Sequence, residues 1–288
     1  MTVHSSSWRP KPIAPLPDDE FVAWQRLLDE RLGIEVPAHR RHFLETSLTL
    51  RMRELGIDHY HEYRQRLTKG VSGVVEWMAL IDRITVQETR FFRDADAIQL
   101  MREHIERRIR SATRPLAIWS VGCSTGEEPY SLAMVAADVA EQFGKRLAFG
   151  VTATDISTPA LLKAREATYP ERKLLEMPAN YREQFMLPAE QEGHWQVLSE
   201  VQARCCFTRG NLLDMGDSPL SGMDIIFCQN VLIYFRKNRR IEIVNNLIDR
   251  LRPGGLLILG AGEVIETPVY RAERVDDKRV LAYRRRMI

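Results

Sequence analysis

"LAIWSVGCSTGEEPYSLAM", which runs from Leu116 to Met134, contains the strongest fold signal of the sequence. Its opening "LAIWSV" is mostly apolar, as in a buried strand, and "EEPYSLAM" begins a pattern typical of a helix. A turn that contains Gly122 and Gly126 joins the two segments. A strand, a glycine turn and a helix in this order predict the first unit of a parallel α/β sheet, whose turn contacts a ligand.

The strand signal returns three times in the same part of the chain. The segments are "LAFGVTATD" at 147–155, "MDIIFCQN" at 223–230 and "GGLLILG" at 254–260. Helical patterns lie between them in "TPALLKAREA", with Ser157 as its N-cap, and in "RRIEIVNNLIDRL", which we expect Pro253 to end. This alternation predicts a Rossmann-like α/β fold, with a parallel sheet and helices on both faces.

The alternation lapses between Tyr169 and Leu213. Here "REQFML", "HWQVLS" and "ARCCFTRG" are short strand-like runs around a turn at "PAEQEG". They predict a small antiparallel β-subdomain, inserted into the main domain at about 180–210.

The N-terminal part is predicted to be helical throughout. Its first helix has one apolar stripe, formed by Phe21, Trp24, Leu28 and Leu32. We expect Asp18 to cap this helix and Gly33 to end it. Further helices are predicted at about 37–55, 60–67, 74–81 and 95–110. The predicted regions are a flexible Pro-rich lead-in at 1–17, an all-α domain at 18–84 and the α/β domain at 85–288.

Composition limits the classes of protein that fit. Of the 288 residues 44% are hydrophobic and 28% are charged, and the net charge is only +2. This balance is ordinary for a globular protein and does not support wholesale binding of nucleic acid or a membrane surface. Apolar runs are too short to span a bilayer, and the N-terminal segment lacks the apolar core of a signal peptide. We expect a cytoplasmic monomer without direct membrane insertion.

The cysteines and histidines do not predict a metal site. The four cysteines, Cys123, Cys205, Cys206 and Cys228, lack the C-x-x-C spacing of zinc ligands, and the histidines are scattered. We therefore expect reduced thiols and no bound metal.

The residues of the glycine turn restrict the ligand. A dinucleotide site needs G-x-G-x-x-G and a P-loop needs a Lys-Ser/Thr pair, and "GCSTG" provides neither. Glu127 and Glu128 follow the turn, and their carboxylates would repel a pyrophosphate. S-adenosylmethionine carries a sulfonium and an ammonium group instead of phosphates, so acidic residues favour it over NAD. The alternative is that both glutamates only stabilise the start of a helix.

Two further features agree with this cofactor and restrict the methyl acceptor. Asp155 ends the second predicted strand, where a carboxylate can accept hydrogen bonds from ribose hydroxyls. The segment "CQNVLIYF" lacks the Asn/Asp-Pro-Pro-aromatic motif of amino-methyltransferases, and the sequence lacks the Pro-Cys nucleophile of C5-cytosine enzymes. A carboxylate acceptor is ionised at neutral pH, with an unperturbed pKa of about 4.3, and therefore needs no base.

Several motifs together resemble the CheR family of chemotaxis receptor methyltransferases. They are "ITVQETRFFRD" at 84–94, "GCSTGEEPYS", "ATDIS", "GNLL" and "FCQNVLIYF". The resemblance implies an all-α N-terminal domain, a methyltransferase domain and an inserted β-subdomain. It implies S-adenosylmethionine as cofactor and S-adenosylhomocysteine as product. The implied substrates are glutamates on the cytoplasmic signalling helices of chemoreceptors, with a receptor tail peptide as a further partner of the β-subdomain.

The resemblance also assigns residues. Position by position, the cofactor site falls on Gln87, Thr89, Arg93, Gly122, Glu127, Asp155, Asn211, Leu212, Gln229 and Asn230. Gln87 departs from the usual Asn, and Gln229 from the common Arg. Arg93 and Tyr234 are predicted to act in catalysis; the alternatives are an ion pair of Arg93 with Asp94 or Asp96 and ordinary packing for Tyr234.

The basic residues of the second helix allow two interpretations. Arg40, Arg41, Arg51 and Arg53 form either a solvated face or a surface that docks the acidic methylation region of a receptor. Two other functions also remain open on sequence alone. One is methylation of a small molecule or nucleic acid, and the other is a catalytically weak regulatory module that binds the cofactor.

Overall fold

The computed structural model describes residues 13–85, 87–110, 114–144, 148–217, 220–263, 265 and 269–287. They belong to two units, Met1–Val86 and Gln87–Ile288. No helix in these ranges is long and apolar enough to cross a membrane.

The first unit is helical, which confirms the predicted all-α region. Its helices are α1 Asp18–Leu32, α2 Arg41–Leu55, α3 Tyr60–Arg66 and α4 Gly70–Ile84, with a 3-10 turn at Ala38–Arg40 before α2. The predicted stripe of α1 is buried because apolar residues three and four apart share one face of a helix. Gly33 and Gly56 end α1 and α2 in the left-handed conformation that glycine adopts readily.

The start of α1 differs from the prediction. Pro17 occupies the N-cap position, and Asp18 lies inside the first turn, where it pairs with Arg41. Leu16 is buried, and its N–H donates to Glu45 Oε1 at 3.2 Å. The predicted flexible lead-in is therefore wrong for residues near Leu16, because a buried leucine holds the chain; residues 1–12 lie outside the described ranges.

A buried glutamate joins three helices of this unit. Glu76 on α4 accepts hydrogen bonds from Arg51 Nε at 2.8 Å, Arg51 Nη2 at 2.7 Å and the Tyr63 hydroxyl at 2.7 Å. Burial raises the pKa of Tyr63, so this hydroxyl stays a donor. A carboxylate with these partners is fully paired, and it fixes α2 and α3 against α4.

The second unit contains a seven-stranded sheet. In chain order its strands and those of a smaller sheet are β1 Leu116–Val121, β2 Phe149–Asp155, β3 Thr168–Pro170, β4 Met186–Pro188, β5 His194–Val197, β6 Cys205–Arg209, β7 Met223–Cys228, β8 Leu251–Leu259, β9 Ala272–Arg274 and β10 Leu281–Arg285. The large sheet has the order β6-β2-β1-β7-β8-β10-β9. Strands β6, β2, β1, β7 and β8 are parallel to one another, and β10 pairs antiparallel with both β8 and β9.

Helices cover both faces of this sheet, as predicted. They are α5 Ala95–Ile109, α6 Glu127–Gln142, α7 Thr158–Glu166, α8 Ala179–Phe185, α9 Ser199–Gln202 and α10 Lys237–Arg250. On β1, Ile118 packs into the apolar cluster that contains Leu132 of α6, and Trp119 packs into the cluster that contains Leu247 of α10. Neighbouring strand residues point to opposite faces, so β1 is buried on both sides.

The small sheet lies elsewhere in the sequence than predicted. It has the order β3-β5-β4 and spans 168–197 instead of about 180–210. In "REQFML" most residues belong to α8, and the strand begins only at Met186. "ARCCFTRG" contains β6, which pairs in parallel with β2 at the edge of the large sheet. Phe207 is the one buried residue of β6. The prediction was wrong here because an edge strand with so few buried residues has the same sequence pattern as a strand of a short hairpin.

Strand β8 also differs from its predicted limits. Helix α10 ends at Arg250, and β8 begins at Leu251, before Pro253. The register shifts between Met223 and Ile225, so extra residues of β8 bulge out opposite β7. A proline is tolerated here because the bulge removes the need for its ladder hydrogen bond.

One buried carboxylate organises the amino-terminal edge of the sheet. Asp224 on β7 is 1% exposed and lies 3.0 Å from Arg108 Nε, 2.9 Å from Arg114 Nη2 and 3.2 Å from Arg252 Nε. It also accepts a hydrogen bond from Ala117 N at 2.9 Å. These contacts join α5, β1, β7 and β8 at the edge opposite the glycine turn.

We expect Asp224→Asn to destabilise the protein by about 3–5 kcal/mol, because it leaves three guanidinium groups without their buried anion. Urea unfolding followed by circular dichroism measures this change. The control is Asp249→Asn, which alters an exposed ion pair with Arg271 and should change stability by about 0.5 kcal/mol or less. Equal effects of the two substitutions would contradict this role.

Candidate functional site

The glycine turn after β1 is held by backbone geometry that requires glycine. Gly122 has φ 71° and Gly126 has φ 97°. A Cβ atom on Gly126 would lie 2.7 Å from the Tyr169 hydroxyl oxygen, and one on Gly122 would overlap Val231 Cγ2. Gly122 N donates to Thr154 O at 2.8 Å, which fixes the turn to the end of β2. Both glycines of the opening motif are therefore needed for close approach.

Asp155 ends β2 and joins two loops. Its Oδ2 accepts a hydrogen bond from Ser124 N at 2.8 Å, and its Oδ1 accepts one from Ser157 N at 2.8 Å. Ser157 caps α7, as predicted. The Ser124 hydroxyl donates to Gln87 Oε1 at 2.7 Å, so Gln87 and Asp155 meet at the glycine turn. Asp155 thus lies at the carboxyl end of β2 with its carboxylate directed at the two neighbouring loops.

Glu127 begins α6 and is fully buried. Thr125 Oγ1 donates to its Oε2 at 2.6 Å, and Lys173 Nζ lies 3.3 Å from its Oε1. Oε1 accepts no hydrogen bond from the described residues. Burial raises the pKa of Glu127. Lys173 also donates to the Thr89 carbonyl, so it connects two residues that the sequence assigned to one cofactor site.

Glu128 has different surroundings from Glu127. Its Oε1 accepts a hydrogen bond from the Ser120 hydroxyl at 2.7 Å, which directs the carboxylate toward β1. Burial and, to a smaller extent, the nearby Glu263 raise the pKa of Glu128 to about 7. Burial therefore disfavours the charged form of both adjacent glutamates.

A second group of predicted residues meets at a cavity of about 400 Å³. Its lining residues are Arg93, Asp94, Ala95, Asp96, Gln229, Asn230, Gly260, Ala261 and Gly262. Gln229 Nε2 donates to Asp94 Oδ2 at 2.8 Å, and Asp94 Oδ1 caps α5 at Ala97 N. The unusual glutamine at this position thus joins the end of β7 to the start of α5.

Arg93 is exposed at this cavity. Its Nη1 donates to the Glu88 carbonyl at 3.1 Å. Among the described residues Arg93 forms no ion pair with Asp94 or Asp96, the alternative that the sequence left open. Asp94 accepts a hydrogen bond from Gln229, and Asp96 pairs with Arg279 at 3.2 Å. A guanidinium group that keeps exposed donors can bind a carboxylate.

The other predicted residues lie around these two groups. Asn211 and Leu212 follow β6, whose end is held next to β2 by a hydrogen bond from Gly210 N to Asp155 O at 3.0 Å. Tyr234 belongs to a 3-10 turn, Leu232–Tyr234, and packs half-buried against the apolar cluster that contains Phe235. It does not line the cavity at Arg93.

Sequence reasoning missed Lys173 and Glu263. Glu263 follows the turn after β8, and the rule that polar residues after parallel strands meet at one edge would have identified it. Burial raises the pKa of Glu263 to about 7. Lys173 lies in the segment before α8, where the sequence contains no signal that it reaches α6.

The arginines predicted as a docking face differ in their contacts. They are Arg40, Arg41, Arg51 and Arg53. Arg51 is held by Glu76 and by Glu54, whose Oε2 lies 2.8 Å from Arg51 Nη1. Arg41 pairs with Asp18, and Arg40 is half-buried. Arg53 is exposed. A helix places adjacent arginines in different surroundings, so only part of this set faces solvent.

Exposed apolar side chains accompany Arg53 on α2. Phe43 is 43% exposed and Leu50 is 45% exposed. Positions seven and three apart lie on one side of a helix, so Phe43, Leu50 and Arg53 form a common surface, here called the α2 outer face. It combines a ridge of apolar groups with a positive charge.

The glycine-turn residues fit a cationic cofactor. Glu127 and Asp155 supply buried carboxylates, and Glu127 Oε1 lacks a hydrogen bond from the described residues. Such a set suits a sulfonium or ammonium group and would repel a pyrophosphate. Within the described ranges no three His, Cys, Asp or Glu side chains are grouped so that they could hold a metal ion.

Comparison with protein families agrees with this geometry. The model described as "CheR methyltransferase, SAM binding domain" matches residues 87–280, and the model described as "CheR methyltransferase, all-alpha domain" matches residues 19–85. The chain belongs to the CheR family. Its fold is therefore that of a CheR protein, with an all-α N-terminal domain and an S-adenosylmethionine-binding domain.

Relatives of known name match most of the chain. The chemotaxis protein methyltransferase of Escherichia coli (strain K12) is 35% identical over 86% of this chain and 85% of its own length. That of Klebsiella aerogenes is 34% identical over 86% of this chain and 84% of its own. That of Borreliella burgdorferi is 29% identical over 86% of this chain and 88% of its own length.

Family membership gives the enzyme class and the cofactor. CheR proteins are S-adenosylmethionine-dependent methyltransferases of chemotaxis, and this chain is one of them. The assignment of the acidic glycine turn to this cofactor stays a prediction from the sequence.

We expect Gly122→Ala to weaken the affinity for S-adenosylhomocysteine, measured by calorimetry. The added methyl group would overlap Val231, and the left-handed φ would cost about 1–2 kcal/mol. Adding Val231→Ala should recover part of the lost affinity, because it removes only the overlap.

The matched control is Gly193→Ala. Gly193 has φ 69° and nothing within 4 Å of an added Cβ, so only the backbone cost applies there. It should lower stability and leave the cofactor affinity unchanged. If Val231→Ala recovers nothing, the contact between the two loops does not shape the cofactor site.

Proposed function

We propose that this methyltransferase esterifies glutamate side chains on the cytoplasmic helices of chemoreceptors. The observation that carries the proposal is the exposed guanidinium of Arg93 at an open cavity beside Asn230. An acidic cofactor turn and a basic acceptor group suit a cationic methyl donor and an anionic acceptor. The reaction then takes place in the cytoplasm, where those receptor helices lie.

Methyl transfer to a carboxylate needs no general base from the protein. Bound S-adenosylmethionine supplies an electrophilic methyl group, whose transfer to a carboxylate yields a methyl ester and S-adenosylhomocysteine. A glutamate carboxylate is ionised at neutral pH, so no residue has to remove a proton. The contribution of the chain is to orient the acceptor and exclude water.

We assign the following roles to the predicted residues. Arg93 orients the acceptor carboxylate through its exposed N–H groups. Tyr234 stays a predicted second donor, and its position outside the Arg93 cavity gives this role no support. The cofactor is held by Gln87, Thr89, Gly122, Glu127, Asp155, Asn211, Leu212, Gln229 and Asn230. Support comes from the contacts that bring Gln87, Thr89 and the glycine turn together.

Receptor docking is assigned to the α2 outer face. A receptor helix with an acidic and an apolar side would match its apolar ridge and the charge of Arg53. Arg51 and Arg41 contribute indirectly, because their internal ion pairs hold α2 in place. This division replaces the simpler idea that all four arginines contact the substrate.

A receptor tail peptide is assigned to the small sheet. Strands β3 and β4 are its two edges, so both have backbone groups without a strand partner in this sheet. An extended peptide can add to such an edge as a further strand. The tail peptide would then tether a receptor without occupying the methyl-transfer site.

We expect the wild-type protein to transfer tritiated methyl groups from S-adenosylmethionine to a receptor cytoplasmic fragment. Mild base should release the label as methanol, because esters hydrolyse and N-methyl groups do not. Arg93→Gln should lower kcat/KM by roughly 100-fold through loss of an orienting donor. Arg90→Gln is the control, since Arg90 lies in the same segment and pairs with Glu176 at 2.6 Å. Base-stable label would sink the proposed acceptor, and equal effects of the two variants would sink the role of Arg93.

Arg53→Glu should raise the KM for the receptor fragment by roughly 5- to 10-fold, because a like charge then faces an acidic partner. Affinity for S-adenosylhomocysteine and thermal stability should not change. Arg51→Gln is the comparison: it removes the ion pair with Glu76 and should lower the melting temperature. An unchanged KM for Arg53→Glu would exclude the α2 outer face from docking.

A further inference from the structure

Glu263 connects two loops at the carboxyl ends of neighbouring strands. It lies in the loop after β8 and is 1% exposed. Its Oε1 accepts hydrogen bonds from Val231 N at 2.6 Å and Leu232 N at 2.7 Å, both in the loop after β7. Its Oε2 accepts one from Gly260 N at 2.6 Å. A single carboxylate therefore satisfies three backbone donors from two separate segments.

The backbone around Glu263 is arranged for this contact. Asn230 has φ 61°, a left-handed conformation that is uncommon outside glycine. A Cβ atom on Gly260 would lie 3.1 Å from both Asn230 N and Glu263 Oε2, so glycine allows the two loops to approach. Without the carboxylate, the N–H of buried Leu232 would lose its partner, which is costly.

The loop that Glu263 holds, residues 229–234, contacts both parts of the site. Gln229 bonds Asp94 next to Arg93, and Asn230 lines the cavity at Arg93. Val231 packs against Gly122 of the glycine turn, and Tyr234 ends the same loop. A shift of this loop would move acceptor-side groups relative to the cofactor turn.

We propose that Glu263 is a positioning residue for methyl transfer, which holds loop 229–234 in place without touching cofactor or acceptor. This inference rests on the proposed function. The carboxylates at the cofactor turn have their own supports, because Ser124 and Ser157 bond Asp155 while Thr125 bonds Glu127. Of the residues assigned to the cofactor only Gln229 and Asn230 lie in the loop that Glu263 holds, so its loss should lower kcat more than it lowers cofactor affinity.

Glu263→Gln is the most specific substitution for a test. Its amide keeps the size of the side chain and one acceptor oxygen, but its NH₂ group must face at least one of the three backbone donors. We expect kcat for the receptor fragment to fall by roughly 10- to 100-fold, since small misplacements of reacting groups have effects of this size. The dissociation constant for S-adenosylhomocysteine should stay within roughly 3-fold of wild type.

Two further variants make the result decisive. Glu242→Gln changes an exposed glutamate of α10 in the same chemical way and should leave kcat unchanged. Glu263→Asp keeps the charge but is one methylene shorter, so it cannot reach both loops at once and should also lower kcat. It provides the second measurement if the glutamine variant does not fold.

The outcomes separate the two proposals. If wild-type protein forms no base-labile methyl ester, the proposed function fails and this inference fails with it. If wild type forms the ester and both Glu263 variants keep its kcat, only the positioning role is overturned. If kcat and S-adenosylhomocysteine affinity fall by the same factor, Glu263 supports the whole site and not the loop, which also overturns the proposal.

Discussion

The site depends on the carboxylate of Asp155, which holds the first turn of the sheet to the second. Its two oxygens accept backbone hydrogen bonds from Ser124 and Ser157, residues that follow neighbouring parallel strands. Ser124 has φ 49°, a conformation that persists in a serine only when its surroundings fix it. With this turn fixed, α6 begins at Glu127 and buries that residue beside Lys173.

Charges of both signs lie along the carboxyl edge of the sheet. Buried carboxylates line the turn after β1, and the guanidinium of Arg93 lies at the cavity beside Asn230. The loop after β7 contacts both places through Val231 and Gln229. On the proposed assignment, the anionic acceptor and the cationic donor meet different surroundings, and the loop between them is the element proposed to set their separation.

The sequence predicted those parts of the molecule whose signals are local. The apolar stripe of α1 is a periodicity of three and four residues, and the turn with Gly122 is marked by glycines between a strand and a helix. Both signals lie within a few residues of sequence, so the sequence predicts both features. Strand β6 was placed in the wrong sheet because an edge strand with only Phe207 buried has no distinctive pattern. The ion pairs of Lys173 and Arg51 could not be predicted for a related reason: each is formed with a distant carboxylate, Glu127 or Glu76, and no spacing along the chain encodes that pairing.

The position of the small sheet has an evolutionary consequence. It is built entirely within the crossover between β2 and β6, where an insertion does not disturb the register of the parallel strands. Relatives could therefore exchange this subdomain and acquire a different partner. One contact limits such an exchange, because Lys173 of the same crossover forms an ion pair with the buried Glu127. A transplanted crossover would have to bring its own cation for Glu127, and so this insertion and the start of α6 are inherited together.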